Sequence, residues 1–282
     1  MSQRRIVVLG ATGLLGRRIV AHLVNAFQEA RIVAASRHAT LKAADFPEAV
    51  ATVDIDLETS AGFGAAFTDA TDLVIAVSGR PGRFDAIEHK GVVDAARMAI
   101  DNGVGLVVHI SGTAAPQAPA WFEAGVAKKR AEAAIAALPA ASIILRPSWL
   151  MESLPRFERS GGMTLFGSGQ ASIHWLALDD LAGVVVEVLG MPQPHSGFYP
   201  VLGPQAISLR EAVSQYARAK GLSGVRALPM PVARLISVFA EGMRPVLQLV
   251  RVFERFDETT LEGVAVPFPQ PRTTLEGWLK RS

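Results

Sequence analysis

A glycine-rich turn near the N-terminus constrains this chain more than any other segment. The apolar run Ile6-Val-Val-Leu9 is typical of a buried strand, and Gly10, Gly13 and Gly16 follow it before a helical pattern begins. Glycines here permit a tight turn, a close ligand approach to the backbone and close packing of helix on strand. Backbone N–H groups and the positive helix end then converge where a pyrophosphate would lie. The turn predicts a dinucleotide site formed by Gly10, Thr12, Gly13, Leu14, Leu15 and Gly16.

Short apolar runs alternate with helical patterns through the first half of the chain, which is typical of βαβ units. We predict strands at 6–9, 31–36, 51–55, 73–77, 106–110 and 142–145, and helices at 15–28, 84–102 and 121–138. Because the strands are apolar throughout, helices should cover both faces of the sheet. The predicted fold class is α/β, a Rossmann-type doubly wound parallel sheet.

The pattern changes after Pro147. Glycine-rich turns precede a predicted helix at 179–189 and a predicted strand at 197–202, and from 208 onward the pattern is mostly helical and interrupted by prolines. We expect an NAD(P)-binding Rossmann core at 1–150. A substrate lobe with the C-terminal helices should follow at 151–282, smaller and mostly helical, with one or two of its strands returning to the sheet.

Composition excludes several classes of protein. A net charge of +2 over 282 residues gives no basis for nucleic-acid binding, and the absence of cysteine excludes disulfides and thiolate metal sites. Charged residues and Pro245 interrupt the apolar stretch at 230–256, so we expect amphipathic helices there and no integral membrane segment. These helices could form a dimer interface, which leaves a monomer or a homodimer open. The N-terminus is unlike a signal peptide, and we expect a cytoplasmic location.

The end of the second predicted strand bears on the choice of cofactor. An acidic residue there would bind a ribose 2′-hydroxyl, whereas a cation accommodates a 2′-phosphate. This chain has Ser36 and Arg37 and no carboxylate at that edge. The planar guanidinium can pair with a phosphate, so NADP(H) is favoured over NAD(H), although a solvated arginine at a strand end is also common.

The glycine turn, read as Gly10-Ala-Thr-Gly-Leu-Leu-Gly-Arg17, resembles the fingerprint of atypical and extended short-chain dehydrogenase/reductases, particularly their NmrA-like branch. Four later segments resemble that family in the same order, and the match covers roughly residues 5 to 205. These segments are Ile110-Ser-Gly112, Lys128-Lys-Arg-Ala-Glu132, Leu145-Arg-Pro147 and Leu178-Asp-Asp-Leu-Ala182.

The resemblance also implies cofactor contacts at the ends of later strands. Asp56 and Leu57 would contact the adenine, with Asp54 as a competing candidate, and Ser78 and Gly79 would pass beneath the adenine ribose. Pro147 and Ser148 would lie against the nicotinamide, and Trp149 would reach toward the substrate or belong to the core.

A tyrosine that catalytic members of this family use as proton donor, four residues before a lysine, is missing. Tyr199 and Tyr216 both come well after the sixth strand, and Ala124 and Gly125 stand four residues before Lys128 and Lys129. Either another group supplies the proton or the chain transfers no hydride to a carbonyl.

Lys128 is the best remaining catalytic candidate, because the resemblance places a lysine near the nicotinamide at this position. It could bind ribose or donate a proton if the neighbouring cations Lys129 and Arg130 lowered its pKa, or it could belong to a solvated basic helix face. Ser111, with Thr113, could hydrogen-bond the nicotinamide or the substrate, although hydroxyls are also ordinary turn formers.

Apolar and histidine residues of the second half give weaker signals. His174, Trp175, Met151, Met163 and Phe166 suggest an apolar pocket, but core packing is the commoner role of such a cluster. The histidines and acids show no metal-ligand spacing, and we expect no metal.

Three functions remain. The first is an NADP(H)-dependent oxidoreductase acting on a small apolar or conjugated acceptor such as a quinone, which needs no tyrosine acid. The second is a non-catalytic NmrA-like NADP(H) redox sensor that acts through a protein partner. The third, a nucleotide-sugar epimerase, is disfavoured because its oxidation step needs the missing tyrosine.

Overall fold

Strands supply the frame of the computed structural model, which describes residues 3–159, 161–237 and 244–281. The strands are β1 (Arg5–Leu9), β2 (Arg31–Ser36), β3 (Ala51–Asp54), β4 (Asp72–Ile75), β5 (Leu106–Ile110), β6 (Ala141–Pro147), β7 (Glu158–Arg159), β8 (Gly162–Phe166), β9 (Ser172–His174), β10 (Gly197–Val201), β11 (Ala206–Ser208) and β12 (Val225–Leu228).

Helices connect these strands. They are α1 (Leu14–Ala26), α2 (Phe63–Phe67), α3 (Val92–Asp101), α4 (Glu123–Ala136), α5 (Leu178–Gly190), α6 (Leu209–Ala219), α7 (Met230–Ser237), α8 (Arg244–Phe253) and α9 (Leu275–Leu279). A π-helical turn, Asp85–Gly91, leads into α3, and 3₁₀ turns lie at Thr40–Asp45, Met151–Phe157 and Glu258–Leu261.

The central sheet is parallel throughout. Within the described residues it holds seven strands in the order β10-β6-β5-β4-β1-β2-β3. After β3 the chain returns to the other side of β1 to form β4, so the direction of winding reverses between β1 and β4. In open sheets of this kind the crevice at that reversal, at the carboxyl ends of the strands, is where ligands bind. The predicted doubly wound α/β fold is confirmed.

Successive side chains of a strand point to opposite faces of the sheet, so the apolar side chains of each strand are divided between the two faces. Ile6 and Val8 of β1 pack in one core with α1 and α5, whereas Val7 and Leu9 pack in another with α3 and α4. All four side chains are fully buried. Helices therefore cover both faces of the sheet, as the uniform apolarity of its strands predicts.

The C-terminal lobe has a third core at the carboxyl end of β6, and Met151, Met163, Phe166 and Trp175 are buried in it. These residues are therefore core and not pocket wall. The lobe also contains five strands that the sequence pattern does not predict, because each is short and pairs outside the central sheet: β7, β8, β9, β11 and β12. β12, for example, pairs in parallel with the distant β8. β8 also pairs antiparallel with β7.

The stretch at 230–256, predicted as amphipathic helices, forms α7 and α8 in its described parts, while 238–243 lie outside the described residues. A search of the described helices finds no segment with the length and apolarity to cross a bilayer.

Candidate cofactor and substrate site

The glycine turn, residues 10–16, joins β1 to α1 at the reversal of the sheet. Gly10 has a φ of +79°, and a Cβ at Gly10 would collide with the carbonyl of Ala76, which directly follows β4. A Cβ at Gly16 would stand 2.7 Å from Ala11 Cα. Two of the three glycines are thus required by the packing of the turn itself.

The third, Gly13, is the residue before α1 and offers no side chain to cap the helix. Its own Cβ would meet only the Gly10 carbonyl, at 3.2 Å, so the protein leaves open space on that side. The first turn of α1 also contains no acidic residue. Uncapped N–H groups at a helix start bind anions, and a dinucleotide pyrophosphate fits this turn.

A cavity of about 720 Å³ runs along the carboxyl ends of the strands past this turn. That volume is within the usual range for a small-molecule site. Most of the predicted site residues line it: Gly10, Thr12, Gly13, Leu14, Leu15, Ser36, Arg37, Asp56, Leu57, Ser78, Ser111, Lys128, Pro147 and Ser148. Gly16 and Gly79 do not. Gly16 lies beneath the turn, and the Gly79 N–H donates to Glu88 Oε1 at 2.5 Å.

Arg37, His38 and Lys42 form the basic end of the cavity, just past β2. Among the described residues the Arg37 guanidinium has no ion-pair or hydrogen-bond partner, whereas Arg17 nearby is paired with Asp45 at 2.8 Å. The Thr12 hydroxyl donates to Ser36 Oγ at 3.1 Å and brings a second hydroxyl to the same place. The sequence indicated Arg37 and Ser36 but not His38 or Lys42.

Asp54 and Asp56, which competed for the adenine contact, are placed differently. Asp54 lies outside the cavity, and its carboxylate accepts from the Thr40 hydroxyl and N–H at 2.5 and 2.9 Å, bonds that lower its pKa. Asp56 lines the cavity, and one of its oxygens accepts from the Glu58 N–H at 2.7 Å. Asp56 therefore keeps a carboxylate oxygen for a ligand.

The distal end of the cavity, lined by Ser111, Thr113, Lys128, Ser148 and Trp149, collects polar side chains from three elements. Lys128 on α4 has its Nζ 2.9 Å from Glu88 Oε2 and donates to the Ile110 carbonyl at 3.4 Å. Glu88, on the π-helical turn, is only 2% exposed.

The setting of Lys128 differs from the one expected from its neighbours in sequence. Lys129 is exposed, and Arg130 reaches outward to Asp85 at 3.1 Å. A buried carboxylate faces Lys128 in place of the expected cations, because α4 turns its next residues toward solvent.

His109, on β5 next to these residues, is completely enclosed. Burial, and secondly the nearby Lys128, lower its pKa to about 3. Neither ring nitrogen has a partner among the described residues. His109 is therefore a neutral imidazole at physiological pH, and no feature of the neighbouring residues in the chain indicated this.

Glu258, in the C-terminal 3₁₀ turn, is a second buried carboxylate at the distal end and is fully inaccessible. The hydroxyls of Thr113 and Ser148 each donate a hydrogen bond to its carboxylate at 2.6 Å, and the backbone N–H of His174 donates one at 2.8 Å. Thr113 and Ser148 are 145 and 110 residues away in the chain, so no local pattern could have indicated the cluster.

Ser111 contrasts with these two hydroxyls. It lines the cavity and is 6% exposed, but its Oγ has no hydrogen-bond partner among the described residues. A buried hydroxyl without a partner is uncommon, and a ligand in the cavity would satisfy it.

Aromatic residues close the distal end. Trp149 stacks on Trp175 with ring centroids 5.5 Å apart and packs on Phe253 at 5.3 Å. Both tyrosines lie elsewhere: the Tyr199 hydroxyl donates to the His195 carbonyl, and Tyr216 is buried in the lobe. Cavity residues that the sequence did not indicate include His38, Lys42, Phe122, Glu152, Arg156, Leu249 and Phe253.

A Rossmann sheet that has a glycine turn with uncapped helix N–H groups at its reversal, and a cavity beside that turn, is typical of a dinucleotide-binding protein. The chain belongs to the NAD(P)H-binding family, whose model matches residues 10–192.

Known proteins resemble this chain in sequence or in fold. The NAD(P)H azoreductase of Xenophilus azovorans is 30% identical over 80 residues, and the match spans 27% of this chain and 28% of that protein. The NADPH-dependent quinone oxidoreductase QOR2 of Escherichia coli, complexed with NADPH, has a TM-score of 0.77 and 20% identity, covering 98% of this chain and 99% of that chain. A short-chain dehydrogenase/reductase superfamily protein of Agrobacterium tumefaciens with bound NAD has a TM-score of 0.64 and 17% identity, covering 80% and 86%.

At these identities the likeness to the two structures shows the fold. The family match confirms the NAD(P)H-binding part of the predicted resemblance, and the two structures confirm its fold. One of the two structures holds NADPH and the other NAD, so the fold leaves the choice of cofactor open.

Proposed function

We propose that this protein is an NADP(H)-dependent oxidoreductase that reduces a small, flat, conjugated acceptor such as a quinone. One observation carries the proposal: a single cavity runs from the glycine turn to an aromatic wall, with Ser111 and Lys128 between them and no tyrosine. When bound, the reduced cofactor supplies a hydride that converts a quinone to a hydroquinone anion, and one proton completes the product.

The basic end supports NADP(H) over NAD(H). Among the described residues Arg37 has no partner to release before it binds a phosphate, and Ser36 and Lys42 add donors around it. A ribose 2′-hydroxyl finds no carboxylate there, because Asp54 is held by Thr40 outside the cavity. A charge-assisted, bidentate contact from the Arg37 guanidinium to a 2′-phosphate is the strongest interaction that these side chains can offer.

Lys128 and Ser111 are suited to a developing oxyanion. An ammonium has three N–H donors. Lys128 donates one to the Ile110 carbonyl and forms an ion pair with Glu88 at 2.9 Å, which leaves a donor for the cavity. The Ser111 hydroxyl is free to donate. A quinone needs only such stabilisation, because its reduced anion is far less basic than the alkoxide of a reduced simple ketone. The missing tyrosine is therefore compatible with this acceptor class.

Trp149 and Phe253 give the acceptor a flat apolar surface. Aromatic faces of this kind stack on conjugated rings and exclude water from the reacting atoms. An epimerase would need a base that withdraws a hydroxyl proton, and Tyr199 and Tyr216 both lie outside the cavity.

The test is oxidation of NADPH with a panel of benzoquinones, naphthoquinones and enones, followed at 340 nm beside direct binding of NADPH and NADH. We expect NADPH to bind more tightly than NADH and to be consumed with the quinones in a one-to-one ratio to hydroquinone. Tight binding without consumption across the panel would contradict the reductase and support the sensor. Equal binding of the two cofactors would contradict the cofactor assignment.

A further inference from the structure

Three hydroxyls line the distal end, and their hydrogen bonds differ in kind. Those of Thr113 and Ser148 each give their single proton to Glu258, at 2.6 Å. Ser111 gives its proton to no described residue. A hydroxyl has one proton and two lone pairs, so a hydroxyl that donates to the protein can only accept from a ligand.

Glu258 is held so that its oxygens can only accept. Oε1 accepts a hydrogen bond from the Thr113 hydroxyl. Oε2 accepts one from the Ser148 hydroxyl and one from the backbone N–H of His174, the latter at 2.8 Å. The His174 imidazole lies beside it: its Nδ1 is 3.7 Å from Glu258 Oε2, its Nε2 is 3.1 Å from Glu262 Oε1, and these carboxylates, Glu258 first, raise the pKa of His174. Both oxygens of this buried carboxylate thus already accept hydrogen bonds from the protein, and these bonds fix the direction of the two hydroxyl protons.

The two restricted hydroxyls lie side by side. They follow the neighbouring strands β5 and β6, and the Thr113 N–H donates to the Pro147 carbonyl at 3.1 Å. Their free lone pairs therefore form one patch, named here the Thr113–Ser148 corner, between the glycine turn and Trp149. A nicotinamide attached to a pyrophosphate on the glycine turn would place its ring in this part of the cavity.

We propose that Glu258 fixes the direction of these protons, so that the Thr113–Ser148 corner accepts hydrogen bonds only and binds the carboxamide N–H group of the nicotinamide, while Ser111 is left as the hydroxyl that donates. This proposal rests on the proposed cofactor. Glu258 is a positioning residue, because it acts through two hydroxyls and does not itself line the cavity.

The test compares two cofactor analogues that differ at the carboxamide. In the 3-acetylpyridine analogue of NADP⁺ a methyl replaces the amino group and no N–H remains, whereas the thionicotinamide analogue keeps it. By calorimetry we expect the wild type to bind the acetylpyridine analogue about tenfold more weakly than NADP⁺, the loss of one well-made hydrogen bond. The thionicotinamide analogue should bind like NADP⁺.

Glu258→Gln should reduce this discrimination. The new amide nitrogen fits best beside Thr113, because Oε2 already receives two donors, and Thr113 then regains a proton for the cavity. An acetyl oxygen can accept that proton, so the tenfold ratio should fall to about twofold. The matched control is Glu262→Gln, which contacts the same His174 but neither hydroxyl and should keep the full ratio.

The ratio of affinities for NADP⁺ and the acetylpyridine analogue distinguishes a positioning role from a folding defect, because a general loss of structure would weaken the binding of all three ligands alike. If Glu258→Gln does not fold, Ser148→Ala removes one lone-pair site with the carboxylate intact and should also lower the ratio. Equal binding of NADP⁺ and the acetylpyridine analogue by the wild type, or an unchanged ratio in Glu258→Gln, would overturn the proposal. If no dinucleotide binds, the proposed function fails as well. Absence of NADPH turnover alone would contradict the reductase and leave this binding comparison valid.

Discussion

The glycine turn and the distal end of the same cavity are built in different ways. The turn is made of backbone within one continuous segment, and its shape depends on residues without side chains. The distal end is made of side chains from β5, β6, α4, the π-helical turn and the C-terminal 3₁₀ turn, held by the buried carboxylates Glu88 and Glu258. On the proposed function, anion binding would depend on the conformation of one segment, whereas chemistry on the acceptor would depend on long-range packing.

The largest effect should come from placing a side chain in the glycine turn. Gly10→Ala adds a Cβ to a residue with a φ of +79° that faces the Ala76 carbonyl. We expect a loss of about 3 kcal/mol or more in the free energy of unfolding, from left-handed strain and a steric collision together. Urea unfolding measures it, and NADPH binding should be lost in parallel.

Gly13→Ala is the matched variant, because its Cβ meets the protein only at 3.2 Å from the Gly10 carbonyl. It should fold nearly as well as the wild type but bind NADPH at least tenfold more weakly. If Gly13→Ala bound normally, the open side of Gly13 would not be where the pyrophosphate lies.

Next in size is Lys128→Met, which tests the distal end. Because it leaves the buried Glu88 without its cationic partner, we expect a loss of roughly 2–4 kcal/mol in the free energy of unfolding. NADPH consumption with a quinone should fall by about one to two orders of magnitude. Lys129→Met, on the exposed side of the same helix, is the control.

The double variant Lys128→Met with Glu88→Gln separates the two effects. It should recover most of the stability, because the uncompensated charge is gone, but not the activity. Recovery of turnover in the double variant would remove Lys128 from the chemistry.

The buried His109 gives the distal end a pH dependence that the glycine turn lacks. Its pKa is lowered from 6.5 to about 3 in the folded chain, so acid protonates it in the unfolded chain first. Its contribution to stability is complete above pH 6.5 and is lost as the pH falls toward 3. Between pH 7 and 5 the wild type should lose about 2 kcal/mol more than His109→Leu.

Urea midpoints at the two pH values, with the exposed His195→Gln as a surface control, measure this difference. Parallel loss of stability in the wild type and in His109→Leu would contradict a neutral, enclosed imidazole.

The smallest effect should be Arg37→Ala at the basic end. Removing a charge-assisted contact to a 2′-phosphate should weaken NADPH binding by about 10- to 30-fold and NADH binding by less than about twofold. Isothermal titration with both cofactors measures it, and Arg18→Ala, another exposed arginine just beyond the turn, is the control. Equal losses for both cofactors would contradict the phosphate assignment.

The same contrast explains what the sequence could predict. The strands of the central sheet, the glycine turn and the position of Arg37 could be predicted because each depends on a few consecutive residues. Lys128 was found through a resemblance, but its partner was misjudged: Glu88 lies 40 positions earlier and meets it only after α4 has packed on the π-helical turn.

Glu258 could not have been found at all. It looks like any surface glutamate in a polar segment, and only the return of the C-terminal segment to β5 and β6 buries it. The strand β12 was missed for a related reason, because its pairing with β8 joins residues about 60 positions apart.

The most direct measurement follows the hydride itself. NADPH carrying deuterium at one or the other of its two C4 positions is incubated with the protein and a quinone, and the NADP⁺ formed is analysed by mass spectrometry. An oxidoreductase that holds the ring against the Thr113–Ser148 corner should remove the label completely from one position and retain it completely at the other. Bound NADPH that is never consumed, or label lost equally from both positions, would contradict this account.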